Sequence, residues 1–479
     1  MRTEIEFDPK KYRKGVKKKG SPLDFYITEK MSCTAKSAPD FLKKSVIYQI
    51  FLRPFTPGGT LQSAFRMLPY LSKLGADILY LCPPMVADDD VRLEFWSDRQ
   101  KKCALNNPMN PYRLKDYYNV DPEYGTNEDL KKFAAGAHEL GMRVILDLVY
   151  YHCGPTPVFL KEHPDFVVRD AEGRVKNGRW HFPELNFESS ALREYLWQNM
   201  EMFIRNYDFD GFRCDVADAV PLDFWEEGRR RIEAIKPDVI MLAESGQKNE
   251  QNTAFDLNYF FAWGCLSDVF RGDEPASKIV EIWQEYMNTL LPGARVIHAT
   301  ENHDIVNESG ENRIEKIIGR KGHDAMLFLD FSLDGVPFLY NGQEIADSSM
   351  HSIWGNRFHG RNLTIDWSNA LTTDGQARFD LVRKLISMRK TEEALYEGSV
   401  NWLEHDHKDS VLALTRNSEN QNLLIAVNCR NQPVHVTLNC RIARVVETPV
   451  FMNRGADFRI GDDMVQVDLL PYGFLMMEY

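Results

Sequence analysis

Short hydrophobic runs alternate with helical repeats along most of the chain. Residues 46–51 and 77–81 are apolar stretches, and between them Leu61, Phe65 and Leu68 recur at helical spacing. Continuous apolar runs of this length are typical of strands that are buried on both faces, whereas the 3.6-residue spacing indicates amphipathic helices. The pattern therefore predicts parallel strands that are separated by helices.

The same alternation continues through residue 340. Further strands are predicted at residues 144–149, 211–215, 239–243, 254–257, 295–299 and 336–340. Thr126 and Asp129 predict a capping box for a helix whose apolar stripe runs from Leu130 to Leu140 and which stops at Gly141. Eight strand-then-helix units over roughly 350 residues predict a (β/α)8 TIM barrel, whose usual size is ~250 residues before insertions.

Two polar excursions and a change of period define the predicted domains. Residues 83–125 and 152–190 follow the second and third strands, and loops at the carboxyl ends of barrel strands line the active site. Alternating runs at 411–414, 423–427, 434–438 and 464–467 predict an antiparallel β-sandwich. We predict an N-terminal extension (1–40), a barrel (41–390) with an insertion domain (152–190), and a C-terminal β domain (391–479).

Composition narrows the class of partner. The 479-residue chain carries a net charge of −12, which argues against a nucleic-acid partner. We find no apolar run long enough to span a membrane, and no apolar segment follows the basic N-terminus as a secretory signal requires. The 8 cysteines lack CxxC spacing, which predicts reduced thiols in a cytoplasmic protein.

Polar side chains stand at the ends of several predicted strands. They are Asp147, His152, Arg213, Asp215, Glu244, His303 and Asp304. Arg213 and Asp215 are two residues apart on one strand and so share a face, where the cation favours the ionised carboxylate that a nucleophile needs. One such residue alone is more often a helix cap or a member of a structural ion pair than a catalytic group. Their convergence at one end of a barrel predicts a catalytic site.

Four of these stretches carry a family resemblance. Residues 147–152, 211–215, 243–244 and 301–304 resemble, in order and spacing, the four signature regions of the α-amylase family of retaining glycoside hydrolases. Residues 182–186 are similar to the motif of that family's insertion domain, residues 335–344 to its last-strand motif, and residues 112–117 with 121–125 to the segment after its second strand. The resemblance runs from about residue 45 to the end of the chain.

The resemblance implies a double displacement at an α-glycosidic bond. Asp215 would be the nucleophile that forms a covalent glycosyl-enzyme, and Glu244 the acid and base, with the two carboxyl groups ~5–5.5 Å apart. Glu244 follows an apolar strand and has no basic neighbour in sequence, conditions that raise the pKa of a carboxyl group. Asp304 would bind sugar hydroxyls that strengthen their hydrogen bonds in the transition state.

The remaining site residues are expected to bind substrate. By the resemblance, His152 and His303 would donate hydrogen bonds to sugar hydroxyls and Tyr112 would stack on the ring. Asp147 and Arg213 complete the predicted substrate site. The expected ligand is an oligosaccharide or an α-glucoside.

Three positions depart from the family pattern. Many members have a calcium-ligating Asn where this chain has Tyr151, and a Lys-His pair, whose His carbonyl is another calcium ligand, where it has Asp218 and Ala219. Because calcium requires several oxygen ligands, we expect no metal at that position and no cofactor. Asp218 replaces a lysine that contacts the leaving-group side in some relatives, which favours short α-glucooligosaccharides over raw starch.

Three alternatives stay open at the level of sequence. A transglycosylase of the same family would use the same Asp and Glu with a sugar acceptor. A non-catalytic relative would be expected to lack one of the three carboxylates, all of which are present. A different barrel enzyme would need a Schiff-base lysine or a histidine-rich metal cluster at the strand ends, and we find neither motif.

Overall fold

The computed structural model describes residues 34–103, 105–247, 249–260, 264–306, 313–358, 363–442, 450–452, 456–461 and 463–479. Most of the predicted N-terminal extension lies outside the described residues. The boundaries of the predicted domains stay a proposal.

Eight parallel strands close into a barrel in chain order. They are β1 (Ile47–Ile50), β2 (Ile78–Leu81), β3 (Arg143–Leu148), β4 (Gly211–Cys214), β5 (Ile240–Ala243), β6 (Leu257–Tyr259), β7 (Arg295–Ala299) and β8 (Val336–Tyr340). Ile47 of β1 pairs with Phe338 of β8, which closes the ring. The predicted TIM barrel is confirmed.

The sixth strand is displaced from its predicted position. It begins at Leu257, whereas the apolar run at 254–257 predicted a strand that ends there. Asp256 accepts hydrogen bonds from Arg229 on the outside of the barrel, and Ala254 and Phe255 are fully buried before the strand starts. The hydrophobicity of this run therefore reflects packing next to the strand.

Helices surround the barrel. The α-helices are Leu52–Phe55, Leu61–Phe65, Leu68–Leu74, Asp98–Lys102, Asn127–Glu139, Ser190–Tyr207, Leu222–Glu233, Leu266–Arg271, Ser277–Met287, Ile314–Ile317, Gly319–Ser332, Thr373–Thr391 and Glu393–Tyr396. The capping box is confirmed, because Thr126 and Asp129 exchange side-chain to backbone hydrogen bonds. Leu140 is 39% exposed and does not belong to the predicted apolar stripe, because the helix ends at Glu139 and Gly141 turns the chain at φ +76°.

Short 3₁₀ turns connect these elements. They are Asp40–Lys44, Leu93–Phe95, Val158–Lys161, Pro164–Phe166, Arg179–His181, Ala217–Ala219, Asn249–Asn252, Gln343–Ile345 and Trp367–Leu371. Between β3 and the helix Ser190–Tyr207, the insertion contains such turns and isolated bridges, for example between Val167 and Leu185.

The barrel strands are buried on both faces. Tyr48 and Leu79 pack outward against the helices, whereas Ile47 and Ile78 pack into the barrel interior. Because both faces of each strand are buried, the strands appear in the sequence as continuous hydrophobic runs without alternation. Gln49 of β1 and Arg213 of β4 are polar exceptions with at most 1% exposure, and each lies in the carboxyl-terminal half of its strand.

Antiparallel sheets follow the barrel. The strands are β9 (Ser399–Trp402), β10 (Val411–Asn417), β11 (Asn422–Asn428), β12 (Val434–Leu438), β13 (Phe451–Met452), β14 (Asp457–Ile460), β15 (Val465–Leu469) and β16 (Phe474–Glu478). One sheet has the order β13-β16-β11-β10-β9 and the other β12-β15-β14, and Ala413, Ala426 and Val436 belong to one shared core. The predicted antiparallel region is confirmed, with strands that the sequence pattern missed. Among the described residues, no helix is long and apolar enough to cross a membrane.

Candidate active site

Arg213 stands at the centre of a cluster of carboxylates. Its Nη1 donates to Asp147 Oδ1 at 2.8 Å and to Asp215 Oδ1 at 2.7 Å, and its Nη2 lies 3.0 Å from Glu244 Oε2. The three acidic residues come from β3 and from the ends of β4 and β5, which are neighbours in the barrel. Glu244 has no basic neighbour in sequence, but the closed barrel places Arg213 of β4 in direct contact with its carboxylate.

The Arg213 cluster shifts the pKa of both candidate catalytic carboxyls. Burial raises the pKa of Asp215 well above its usual value; the charge of Glu244 adds to this effect and Arg213 opposes it. Burial also raises the pKa of Glu244, again against Arg213. The expectation that Arg213 keeps Asp215 ionised is therefore too simple, because one guanidinium is shared among three acids. Two such neighbours can hold one proton between them.

A strained residue orients Glu244. Val216 has φ +44°, a left-handed conformation that is rare for a β-branched side chain. Its backbone N–H donates to Glu244 Oε2 at 2.8 Å. Because Arg213 contacts the same oxygen, Oε1 of Glu244 is the oxygen left for chemistry in the cavity.

Asp304 and His303 follow β7 at the opposite wall. Asp304 is half exposed, and its Oδ1 accepts from Arg99 Nη1 at 3.1 Å. Its partial burial opposes ionisation, but the charges of His303, Arg99 and Arg213 outweigh this effect and lower its pKa. Gln49 Nε2 donates to His303 Nδ1 at 2.7 Å, which leaves the Nε2–H of His303 facing Asp304 Oδ2 at 3.5 Å.

Tyr112 is fixed from two sides. Its hydroxyl donates to Asp147 Oδ2 at 2.8 Å, and its ring stacks on His303 with the centroids 5.0 Å apart. Tyr80 donates to the same oxygen of Asp147 at 2.6 Å. With Arg213 on its other oxygen, the buried Asp147 supports Tyr112 and Arg213 from beneath. Direct contact of Asp147 with substrate stays a prediction.

His152 is neutral and already bonded. Its Nε2 donates to the backbone carbonyl of Tyr112 at 2.6 Å, and burial lowers its pKa to about 4. Within the part of the chain that the structure describes, its buried Nδ1 has no hydrogen-bond partner. The predicted donation from His152 to a sugar hydroxyl therefore competes with the bond to Tyr112.

These residues surround one cavity of about 260 Å³. Its lining residues are Ser97, Arg99, Asn110, Tyr112, His152, Trp180, Phe182, Asp215, Val216, Glu244, His303, Asp304, Ile353 and Trp354. Both excursions contribute to the wall, as predicted. Arg99, Trp180 and Trp354 were missed by the sequence analysis, and only Trp180, a tryptophan in a polar loop after Gly178, gave a local signal.

The residues at the family's calcium position do not fit that ion. The Tyr151 hydroxyl donates to Glu184 Oε1 at 2.6 Å, and Lys176 Nζ pairs with Glu184 Oε2 at 3.2 Å. The lysine already neutralises the carboxylate, and Tyr151 replaces the carboxamide oxygen of the family's asparagine with a phenol that is bonded to Glu184, so that only the backbone carbonyl of Ala219 remains as a family ligand. Over the described ranges, no group of three or more His, Cys, Asp or Glu side chains is arranged to hold a metal ion.

Known proteins match almost the whole chain. The family model of the α-amylase catalytic domain matches residues 16–170 and 175–428, and that of the maltogenic amylase C-terminal domain matches residues 400–476. A cyclomaltodextrinase of Geobacillus thermopakistaniensis is 28% identical over 439 residues, which cover 81% of this chain and 69% of that protein. An intracellular maltogenic amylase of Bacillus subtilis strain 168 is 24% identical over 81% of this chain and 68% of its own length.

A solved structure supports the fold. The crystal structure of a maltogenic α-amylase from Thermotoga neapolitana matches with a TM-score of 0.78 and 24% identity, over 91% of this chain and 99% of that one. The catalytic-domain model covers well over half of the sequence and includes every residue of the cavity wall. The chain therefore belongs to the α-amylase family of glycoside hydrolases.

Proposed function

We propose that this protein is a retaining hydrolase of α-glucosidic bonds in short α-glucans or α-glucosides, with Asp215 as nucleophile and Glu244 as acid and base. The observation that carries the proposal is the bridge through Arg213, whose two terminal nitrogens contact Asp215 and Glu244. Both carboxyls line the same cavity as Asp304 and Tyr112.

In the first step, Asp215 attacks the anomeric carbon. Arg213 holds Oδ1, which leaves Oδ2 to form the ester bond as the bond to the leaving oxygen breaks. Glu244 gives its proton to that oxygen. In the second step Glu244 takes a proton from water, the water oxygen attacks the anomeric carbon, and the ester breaks with the α configuration retained.

The protonation pattern supports these roles. Burial raises the pKa of Glu244, and Oε1 is the oxygen that can carry a proton toward the substrate. The 2.7 Å bond from Arg213 stabilises the charged form of Asp215 in the reactive state. The proposed roles require that the one proton shared by the two carboxyls resides on Glu244 when substrate binds, because burial raises the pKa of both groups.

The opposite wall would hold the sugar through the transition state. Asp304, with its lowered pKa, is an acceptor for ring hydroxyls. The Nε2–H of His303 is a donor beside it, and Tyr112 supplies an aromatic face. Hydrogen bonds to a ring that flattens toward an oxocarbenium-like state lower the barrier.

The volume of the cavity and the names of the related proteins support the proposed class of substrate. The 260 Å³ cavity is below the range of ~300–1,000 Å³ typical of small-molecule sites, which favours short substrates. The named relatives are cyclomaltodextrinases and maltogenic amylases. We also propose a cytoplasmic location, because the cysteines within the described residues are free thiols and related maltogenic amylases are named intracellular.

The decisive experiment combines product stereochemistry with Glu244→Gln. Proton NMR of maltotriose hydrolysis should detect the α anomer first. The variant should lose roughly 10²–10⁴-fold in kcat on maltotriose but much less on an activated aryl α-glucoside, which needs little acid assistance. A β product, or equal losses on both substrates, would contradict the roles. Added glucose acceptor, followed by chromatography, distinguishes transfer to sugar from hydrolysis.

A further inference from the structure

Arg99 reaches across the mouth of the barrel. It belongs to the helix Asp98–Lys102 in the excursion after β2, yet its Nη1 lies 3.1 Å from Asp304 Oδ1 after β7. Its guanidinium also lies over the Trp354 ring, 5.1 Å from the centroid, in the loop after β8. Arg99 thus joins three loops at one side of the cavity.

The helix that carries Arg99 is fixed by its own surroundings. Ser97 caps it by accepting from the backbone of Gln100, and the Gln100 side chain, 1% exposed, donates to the Asn107 carbonyl at 2.9 Å. Asp98 Oδ1 lies 3.3 Å from His181 Nε2 in the insertion after β3. A short helix held on both sides presents Arg99 on a rigid support.

The position of Arg99 relative to Glu244 and Asp304 indicates which part of the substrate it would contact. By the proposed roles, Glu244 faces the leaving group and Asp304 binds the sugar that becomes attached to Asp215. Arg99 contacts Asp304 and Trp354 on the side of the barrel formed by β2, β7 and β8, whereas Glu244 follows β5 on the other side. Arg99 would therefore lie at the end of that sugar away from the leaving group. We infer that Arg99, backed by Trp354, closes this end of the cleft, so that the enzyme accepts a free chain end and excludes cyclic or internal glucan segments.

The chemistry of the wall suits a terminal sugar. Arg99 can donate to hydroxyls that Asp304 accepts from, so both side chains can bind one sugar without separating. A chain continuing past that sugar would have to displace a guanidinium from both a carboxylate and an indole face.

The test compares maltoheptaose with β-cyclodextrin, a linear and a cyclic glucan of the same size. The kcat/KM of the wild-type protein should be about 100-fold higher for the linear substrate than for the cyclic one. A factor of about 100 is expected when a substrate's glycosidic bond cannot reach its correct position next to the catalytic groups. Arg99→Ala should raise the ratio of cyclic to linear turnover about tenfold, whereas Arg99→Lys, which keeps the charge but not the planar stack, should raise it less. Products are separated by chromatography.

A matched control lies in the same excursion. Arg92 is paired with Asp90 at 2.8 Å but does not line the cavity, so Arg92→Ala should leave the cyclic-to-linear ratio at the wild-type value. Melting temperatures of the variants show that each is folded.

Three outcomes would overturn the inference, and the third differs from the first two in what else it refutes. Equal wild-type rates on the two glucans, or an unchanged ratio in Arg99→Ala, would refute the closed end while the proposed hydrolase stands. The inference rests on the proposed function, so release of sugar from neither glucan nor from maltotriose would refute both together.

Discussion

Two arginine clusters lie at the same end of the barrel and differ in their surroundings. Arg213 contacts Asp147, Asp215 and Glu244, whereas Arg313 contacts Glu301 at 3.1 Å and Asp347 at 2.7 Å. Both guanidiniums are almost completely buried. In sequence terms, both clusters are polar residues that follow barrel strands.

The clusters differ in how completely their oxygens are bonded. Asp347 accepts from Arg313, from the Ser349 hydroxyl at 2.7 Å and from the Asp366 backbone at 3.0 Å. Its burial would raise its pKa, but His351 and Arg313 outweigh this effect and lower it. Asp215 and Glu244 keep oxygens toward the cavity, and burial raises the pKa of each.

A reactive site can be distinguished from a structural ion cluster by its unpaired acceptors. A structural ion cluster satisfies every acceptor, so its charges are stable and inert. The Arg213 cluster leaves acceptors unpaired beside a cavity, where a substrate can complete the bonding. Perturbed protonation next to open space, and not the presence of charge alone, is what supports the Arg213 cluster as the candidate reactive site.

The largest expected effect is the loss of activity when an acid of the Arg213 cluster is replaced. Asp215→Asn should lower kcat on maltotriose by about 10⁴-fold or more, because no covalent intermediate can form. Its melting temperature should equal or exceed that of wild type, because a buried acid with a raised pKa is replaced by a neutral amide of the same shape. Steady-state kinetics and calorimetry measure both. Retained activity would favour a different nucleophile.

Arg313→Gln should show the reverse pattern. Glu301 and Asp347 would keep buried charges without their cation, so the free energy of unfolding should fall by about 3–5 kcal/mol. The kcat per folded molecule should change little. Urea unfolding with activity measured on the folded fraction checks this, and Arg92→Ala, at an exposed ion pair, is the control. A stable but inactive variant would place Arg313 in the catalytic machinery.

Glu250 is a buried acid outside both arginine clusters. Asn258 Nδ2 donates to its Oε2 at 3.2 Å, and burial raises its pKa to about 8. An unfolded Glu has a pKa of about 4.3, so the folded state retains a proton that the unfolded state releases. The resulting stability is present below about pH 4 and is lost at about 1.4 kcal/mol per pH unit as the pH rises toward 8.

The measurement is urea unfolding at several values between pH 5 and 8. Glu250→Gln should remove this loss, so the difference in stability between variant and wild type should grow with pH. Glu281→Gln, at a side chain that is 64% exposed on the helix Ser277–Met287, should follow the wild-type curve. Parallel curves for Glu250→Gln would show that Glu250 ionises normally.

The smallest expected effect concerns metal removal. Because Lys176 and Tyr151 already satisfy Glu184, a chelator should change the melting temperature by less than about 1 °C, whereas loss of a tightly bound stabilising ion would lower it by several degrees. Calorimetry with and without EDTA measures the shift. A large decrease would mean that the protein binds a stabilising metal ion.

Much of the site was accessible from the sequence because its residues lie at strand ends. Asp215, Glu244 and His303 follow apolar runs whose period identifies barrel strands, and the carboxyl ends of parallel strands converge. The roles of these residues came from the resemblance in motif and order. The sixth strand was misplaced because a three-residue strand is too short to show a period.

What the sequence determined by itself was the alternation of buried strands and helices, the antiparallel strands after the barrel, and the identity of the polar residues at the strand ends. Local periodicity and spacing encode these features. The tertiary structure decided which charges meet. Arg213 contacts Glu244, and Arg99 contacts Asp304, across 31 and 205 positions of sequence, and only the closed barrel and its loops bring them together. The protonation of the acids depends on those contacts and on burial, which no local pattern specifies.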